Sequence, residues 1–259
     1  MSLKTHFESW LERKVPEVSN TTLDFYKGVW KKLEGYFGDK VLADINDFTQ
    51  QDLIDYRNEL SKKLAGNTVN QQIKALRSLF KEALKGGYLL ENPLEYIEQV
   101  KVSKDDNQSR RPFTLKELKL VLGHANDEWR GMILFGLYTG QRLGDIARLQ
   151  WSNVDLNRKE IRLVTGKTGK RVHIPMAEPL YEHVSKLPRN IQSSGHLHPH
   201  SFEKLGNASG RVATLSNQFA KILEEAGLRD RTTHESQGKG RAVKRKSVQL
   251  SFHCLVSGP

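Results

Sequence analysis

The stretch LYTGQRLGDIARLQWSNVDL, residues 137–156, decides how the second half of this chain folds. Its first residues end the segment GMILFGLYTG, which is apolar nearly all round and therefore predicts a buried central helix. The Thr-Gly pair at 139–140 predicts a tight turn, and a new helix is predicted to begin near Gln141. Arg142 is then expected in the first turn of that helix, and Tyr138 in the core.

A cation at Arg142 needs an explanation, because the N-terminus of a helix is itself positive. The position makes sense if an anion binds there, held by free backbone N–H groups together with the guanidinium. Asp145, three residues further on, could pair with Arg142 and fix its rotamer. On physical grounds alone, a surface Arg–Asp pair that contributes little stability explains the same two residues.

A β-hairpin is predicted in KEIRLVTGKTGKRVHIP, residues 159–175, because apolar and polar residues alternate on both sides of a glycine-containing turn. The Gly-Lys-Thr in this turn is not a phosphate-binding Walker A loop, since Ile161 stands where that motif requires its first glycine.

Helices surround this hairpin in the second half of the chain. A capping box at Thr114 and Glu117 predicts the start of one, residues 176–187 are predicted to form another, and TLSNQFAKILEEAGL predicts a third. The segment RNIQSSGHLHPHSF, residues 189–202, is expected to be a loop. The fold class predicted for the whole chain is mainly α with a small β-hairpin or sheet, an α+β fold.

Residues 1–100 predict a small bundle of four helices with short connections. Apolar residues recur at helical spacing in LKTHFESWLERK, TTLDFYKGVWKKLEGYFG, TQQDLIDYRNEL and NTVNQQIKALRSLFKEALKGG. Thr49 and Asp52 form a capping box with aspartate in place of the usual glutamate. Residues 101–111 are charged and turn-rich and predict an interdomain linker, so that residues 112–259 form a second domain.

Composition favours a polyanionic partner. The 259 residues carry 41 basic against 30 acidic side chains, a formal net charge of +11, which suits nucleic acid or an anionic membrane, unless the surface is merely basic and well solvated. There is no apolar run long enough for a membrane span, and the N-terminus lacks the apolar core of a signal peptide. The single cysteine, Cys254, excludes an intramolecular disulfide and fits a reducing cytosol.

The segment GHLHPH places His196, His198 and His200 at alternate positions, where an extended strand would give them one face for zinc. A plain loop is the favoured interpretation, because neither cysteine nor an acidic residue stands close by and Pro199 interrupts the strand. No metal or other cofactor is therefore expected.

The box at 137–156 resembles the first signature box of the tyrosine recombinases, the phage integrase family. Both have a Thr-Gly-x-Arg turn, an acidic residue three positions later, a leucine, then Trp and Asp. The resemblance extends over essentially the whole chain, with an Asn-Pro after the last helix of the first domain and a polar linker. It implies a helical SAM-like core-binding domain at 1–100 and a tyrosine-recombinase catalytic domain at 112–259, incomplete at its C-terminus.

The resemblance also implies a reaction, in which a tyrosine cleaves DNA through a 3′-phosphotyrosyl intermediate and the strand is rejoined to another. Arg142 matches the first phosphate-binding arginine, supported by Asp145. Lys167, or less closely Lys170, matches the hairpin lysine that protonates the leaving 5′-oxygen. His253 matches the histidine of the second box, His-x-x-Arg.

The second box then departs from the family pattern. Val256 occupies the position of its arginine, and the tyrosine nucleophile is absent, since residues such as Tyr138 and Tyr181 lie in the wrong places. Backbone contacts with DNA are expected from basic residues of the hairpin and of the segment after Arg229, although a solvated, disordered tail is the other explanation for the latter. These basic residues are Lys170, Arg171, Arg241, Lys244, Arg245 and Lys246.

These observations leave two main hypotheses. One is a truncated or frameshifted site-specific recombinase that binds double-stranded DNA but does not cleave it, whose full-length parent forms a homo-oligomer on DNA. The other is a non-catalytic DNA-binding protein on the same scaffold. A basic helical module without a DNA role is a third, weaker one. The family uses no metal in catalysis, and a cytoplasmic, nucleoid-associated protein without membrane contact is expected.

Overall fold

The computed structural model of the chain describes residues 1–102, 110–166, 168–188, 195–206, 212–230 and 249–256. Two units are distinguished among them. The residues up to 102 belong to the first unit, and those from 110 onward belong to the second.

The first unit contains the four predicted helices. They are α1 (Leu3–Lys14), α2 (Asn20–Phe37), α3 (Gln50–Lys63) and α4 (Gly66–Lys85), with two 3-10 turns, Gly38–Leu42 and Ile45–Asp47, between α2 and α3. The capping box predicted at Thr49 and Asp52 is present at the start of α3. The four-helix prediction is confirmed.

Helix α4 is the centre of this unit, because its apolar stripe is buried along its whole length. The stripe consists of Val69, Ile73, Leu76, Phe80 and Ala83. Burying each large side chain of this kind stabilises the folded state by about 1.5–3 kcal/mol. The stripe packs against apolar side chains of α1, α2 and α3 in one cluster, which holds the bundle together.

The segment 94–102, which follows α4 and begins in a turn, is hydrogen-bonded along the bundle. Arg77 donates to two of its carbonyl oxygens and Arg57 donates to a third. Asn70 exchanges two hydrogen bonds with the backbone of Val100, at 3.0 and 2.9 Å. These side chains satisfy backbone groups that have no strand partner among the described residues, so the segment belongs to the bundle.

The second unit combines helices with a small antiparallel sheet. The helices are α5 (Leu115–His124), α6 (Asp127–Thr139), α7 (Leu143–Ala147), α8 (Glu178–Lys186), α9 (Pro199–Leu205), α10 (Ala213–Glu225) and α11 (His253–Val256). The strands are β1 (Val154–Asp155), β2 (Glu160–Val164) and β3 (Arg171–Pro175), in the order β1-β2-β3. The predicted hairpin is confirmed as β2 and β3, and the fold class is confirmed as well.

Two sequence-based expectations for this unit are wrong. Residues 189–202 are not all loop, because Pro199 begins α9. Proline suits the first position of a helix, where its missing N–H would be unpaired anyway. Tyr138 is not in the core, since 37% of it is exposed. A helix that is apolar nearly all round gives no indication of which of its faces is turned outward.

Replacing Asn70 with aspartate tests the attachment of segment 94–102 to the bundle. Asn70→Asp removes the donor to the Val100 carbonyl and places a carboxylate oxygen opposite it. We expect the free energy of unfolding of the first unit to fall by about 1–3 kcal/mol, measured by urea unfolding, with faster hydrogen exchange at residues 98–102. The matched control is Asn67→Asp at the exposed start of α4, which should be neutral or slightly stabilising because it adds an acid near a helix N-terminus. Equal effects of the two substitutions would contradict the assigned role of Asn70.

Candidate functional site

Arg142 lies at the junction between the buried helix α6 and the short helix α7. Gly140 ends α6 in the left-handed conformation, at φ 64°, and donates its N–H to the Gly136 carbonyl. Arg142 is extended, at φ −69° and ψ 147°, and its carbonyl accepts the first hydrogen bonds of α7, from Asp145 and Ile146. The chain turns over residues 140–142, and α7 begins at Leu143. Arg142 is therefore the N-cap of α7. The sequence-based expectation that it lies in the first turn of the helix is corrected.

The side chain of Arg142 is exposed, and its guanidinium has no hydrogen-bonded or ionic partner within the described part of the chain. Arg162 on β2, by contrast, is paired. The guanidinium of Arg162 lies 2.9 Å from Glu160 and 3.5 Å from Asp155. Arg142 is therefore available to an anionic ligand in a way that Arg162 is not.

Asp145 does not pair with Arg142 in the described structure, so this expectation is corrected. Its Oδ1 instead accepts a hydrogen bond of 2.9 Å from the backbone N–H of Gly166, in the turn between β2 and β3. A Cβ on Gly166 would stand only 3.0 Å from this oxygen, so glycine permits the approach. The other oxygen, Oδ2, is buried without a described partner. The contact joins α7 to the hairpin turn.

The hairpin turn is closed by Thr165. Its backbone N–H donates to the carbonyl of Lys170 at 2.9 Å, and its hydroxyl shares a hydrogen bond of 2.7 Å with the hydroxyl of Thr168. Lys170 and Arg171 are exposed beyond this closure. Lys167 lies outside the described residues.

Helix α11 carries His253 and packs against α6. Gly136 makes the contact possible, because a Cβ there would meet the ring of Phe252 at 2.9 Å and Leu255 at 3.4 Å. Phe252 and Leu255 are buried, whereas His253 is exposed. His253 therefore lies on α11, which packs against α6, the helix that ends just before Arg142.

The remaining predicted DNA contacts belong to the segment after Arg229. Arg241, Lys244, Arg245 and Lys246 all lie outside the described residues. Among the predicted site residues that are described, Arg142 and Asp145 share α7, and Lys170 and Arg171 lie on the hairpin to which Asp145 is bonded.

The three alternating histidines are not on one face. His196 is buried and stacks on Phe202 with ring centres 3.5 Å apart, while His200 is exposed in α9. His198 is buried, its Nδ1 lies 3.3 Å from the carbonyl oxygen of Ile146, and burial lowers its pKa to about 4. Over the residues described, no group of three or more possible metal ligands occurs.

Sequence reasoning missed Gly136, Gly166 and His198 as residues that position the site. A glycine in a turn is an available signal for Gly166, but its partner Asp145 is 21 residues away. No helix in the described ranges is long and apolar enough to cross a membrane.

Two models of one family match most of the chain. The model of the "Phage integrase SAM-like domain" matches residues 2–102, and that of the "Phage integrase family" matches residues 111–236. The second range contains Arg142, Asp145 and Lys167, whereas His253 lies beyond it.

Over the aligned residues, known relatives are about 25–29% identical to this chain. It is 25% identical over 194 residues to "Putative defective protein IntQ" of Escherichia coli (strain K12), which covers 69% of this chain and 47% of that protein. It is 29% identical over 202 residues to "Tyrosine recombinase XerC" of Roseiflexus castenholzii (strain DSM 13941 / HLO8), which covers 73% of this chain and 63% of that protein. The chain spans about half the length of several such relatives.

Solved structures with the same fold include lambda integrase. The crystal structure of residues 75-356 of lambda integrase bound to DNA matches 99% of this chain and 84% of that chain, with a TM-score of 0.73 and 17% identity. A lambda integrase tetramer bound to a Holliday junction matches with a TM-score of 0.74 and 17% identity, over 99% of this chain and 71% of that chain. At this identity the likeness concerns the fold.

Substitutions at Asp145 test its link to the hairpin. Asp145→Ala removes the acceptor of the Gly166 N–H, so we expect a loss of about 1–3 kcal/mol in the free energy of unfolding and fast exchange of the Gly166 amide hydrogen. Asp145→Asn keeps an oxygen acceptor and should keep that amide protected. NMR-detected hydrogen exchange measures both, and wild-type protection of Gly166 in Asp145→Ala would show that the contact does not hold the turn.

Proposed function

Because the chain belongs to the phage integrase family, the tyrosine recombinases, we propose that it binds duplex DNA and holds a backbone phosphate at Arg142. In the site-specific recombinases of this family, such binding precedes the breaking and rejoining of DNA strands. The net charge of +11 supports a polyanionic partner.

The observation that carries the proposal is the state of Arg142. Its guanidinium is exposed and lacks a partner among the residues described, while its backbone is held in the junction between α6 and α7. A guanidinium presents its N–H donors in a planar fork that matches two phosphate oxygens. Asp145 bonds α7 to the hairpin turn, and Lys167 belongs to that turn in the sequence.

The other roles follow from the family resemblance. Residues 1–100 would lay helices on the DNA, joined by the linker 101–111 to a catalytic domain beginning at 112. Lys167 would donate a proton to the leaving 5′-oxygen, and His253 would contact the phosphate. The basic residues Lys170, Arg171, Arg241, Lys244, Arg245 and Lys246 would contact the DNA backbone.

Oligomerisation on DNA is a further part of the proposal. Lambda integrase, which shares the fold, has been crystallised as a dimer on a core site and as a tetramer on a Holliday junction. We propose a homo-oligomer on DNA, and with it a nucleoid-associated location.

We further propose that the 259-residue polypeptide binds DNA without cleaving it. Val256 stands where the resemblance requires a second arginine, and valine neither donates a hydrogen bond nor carries charge. Removing one such donor typically slows a reaction by about 100- to 1000-fold. None of the seven tyrosines occupies the nucleophile's place in the pattern, so no covalent intermediate would form.

A non-catalytic DNA-binding protein on the same scaffold is the second candidate function. Val256 favours it, and a relative carrying the description "Putative defective protein IntQ" is consistent with it. The presence of Arg142 and Lys167 favours descent from a working recombinase, because a protein that only binds DNA does not require a proton donor at the leaving oxygen.

Binding to a fluorescent duplex, measured by anisotropy over a range of salt concentrations, tests the phosphate contact. We expect Arg142→Ala to weaken binding and to reduce the slope of log K against log salt by about one, as the loss of one phosphate contact requires. The matched control is Arg158→Ala, which removes an exposed cation that is 3.9 Å from Asp155. Binding that does not depend on salt, or an equal effect of the two substitutions, would count against the proposal.

Covalent trapping tests the proposed inactivity. The purified 259-residue polypeptide is incubated with a library of nicked duplexes, and adducts are sought on denaturing gels. No adduct is expected from the wild type. Val256→Arg should steepen the salt dependence of binding by adding a cation, again without an adduct, because it supplies no nucleophile. A phosphotyrosyl–DNA adduct from the wild type would overturn the claim.

A further inference from the structure

His198 connects the helices around Arg142 from inside the core. Its ring is only 1% exposed and packs edge-on against Phe135 of α6, with ring centres 5.4 Å apart. Its Nδ1 lies 3.3 Å from the carbonyl oxygen of Ile146, in the last turn of α7. Since a carbonyl oxygen only accepts hydrogen bonds, Nδ1 carries the proton, and Nε2 of the neutral ring carries the lone pair.

The Ile146 peptide links this imidazole to Arg142. The N–H of Ile146 donates to the carbonyl oxygen of Arg142 at 3.0 Å, while the Ile146 carbonyl accepts from His198. A helix of five residues is not stable by itself, because the cost of nucleating it is not repaid over so short a length. The position of α7 therefore depends on contacts from outside, of which this is one and the contact between Asp145 and Gly166 is another.

The second ring nitrogen of His198, Nε2, makes no hydrogen bond that could hold α7 among the described residues. Nε2 of His198 and Nε2 of His183 are both buried without a hydrogen-bond partner among the described residues. Both face Gly131 of α6, where a Cβ would meet them at 3.1 and 2.8 Å. The missing side chain of Gly131 thus makes room for the imidazole, and Nδ1 makes the hydrogen bond that holds α7.

We propose that His198 is a positioning residue for Arg142, holding α7 through the Ile146 carbonyl so that the guanidinium is presented in one orientation. The inference rests on the proposed function in one respect, namely that Arg142 contacts a DNA phosphate. That His198 holds α7 is a property of the free protein and can be measured separately.

Two amide substitutions separate the nitrogens of the ring. In His198→Asn the amide nitrogen occupies roughly the place of Nδ1 and can still donate to Ile146, whereas in His198→Gln it occupies roughly the place of Nε2. We expect hydrogen exchange at residues 143–149 to be at least about tenfold faster in His198→Gln than in the wild type and nearly unchanged in His198→Asn, since only the former loses the bond. Equal exchange in the two variants would overturn the inference.

The second experiment measures the Kd for duplex DNA. Arg142→Ala is introduced into the wild type, into His198→Asn and into His198→Gln. If His198 positions Arg142, the fold-change in Kd caused by Arg142→Ala persists in His198→Asn and largely disappears in His198→Gln. A merely structural His198 would lower Tm in both variants and leave that fold-change intact, which contradicts positioning. If Arg142→Ala has no effect even in the wild type, phosphate binding by Arg142 fails, while the exchange result still decides whether His198 holds α7.

A measurement on the unmodified protein covers the case in which a variant does not fold. The ¹⁵N chemical shifts of the His198 ring report which nitrogen carries the proton. The hydrogen bond to Ile146 requires protonated Nδ1 and unprotonated Nε2 at neutral pH. The opposite tautomer would overturn the inference regardless of how the variants behave.

Discussion

The second unit depends on how closely other elements approach helix α6. An apolar helix packed on several sides leaves little room for side chains at its contacts, and glycine occupies the tightest of them. Gly131 faces two imidazoles, Gly136 receives Phe252 and Leu255, and Gly140 turns the chain back toward the surface. These three glycines allow α6 to contact His198, to pack against α11, and to end in the turn that leads to Arg142.

Local features of the fold could be predicted from the sequence, whereas the ties between elements could not. The capping boxes at Thr49 and Thr114 and the hairpin depend on residues a few positions apart, and each leaves a pattern. The bonds from Asp145 to Gly166 and from His198 to Ile146 join residues 21 and 52 positions apart. No periodicity encodes such a bond, because it depends on how the elements pack.

The candidate site shows the same division. The spacing of the box at 137–156 pointed to Arg142, but the partner expected for Asp145 was this cation three residues away, whereas its observed partner is a backbone N–H on another element. A carboxylate oxygen is held better by a fixed backbone N–H than by a long, exposed side chain, which would lose rotamer freedom to reach it. Because Asp145 is bonded to Gly166, the guanidinium of Arg142 is left without a partner among the described residues. Arg111 shows the contrary case, since it holds the carboxylate of Glu117 in two hydrogen bonds and keeps the pKa of that group at about 2.

The packing of α11 against α6 at Gly136 affects the order in which the parts of the chain can fold. The segment 249–256 contributes Phe252 and Leu255 to the core around α6, and its Gln249 carbonyl accepts the backbone N–H of Arg111, near the beginning of the same unit. During synthesis, the core around α6 would remain incomplete until residue 255 had left the ribosome. The described contacts of the helical bundle, by contrast, lie within the first 102 residues, so the bundle can fold while the rest of the chain is still being made.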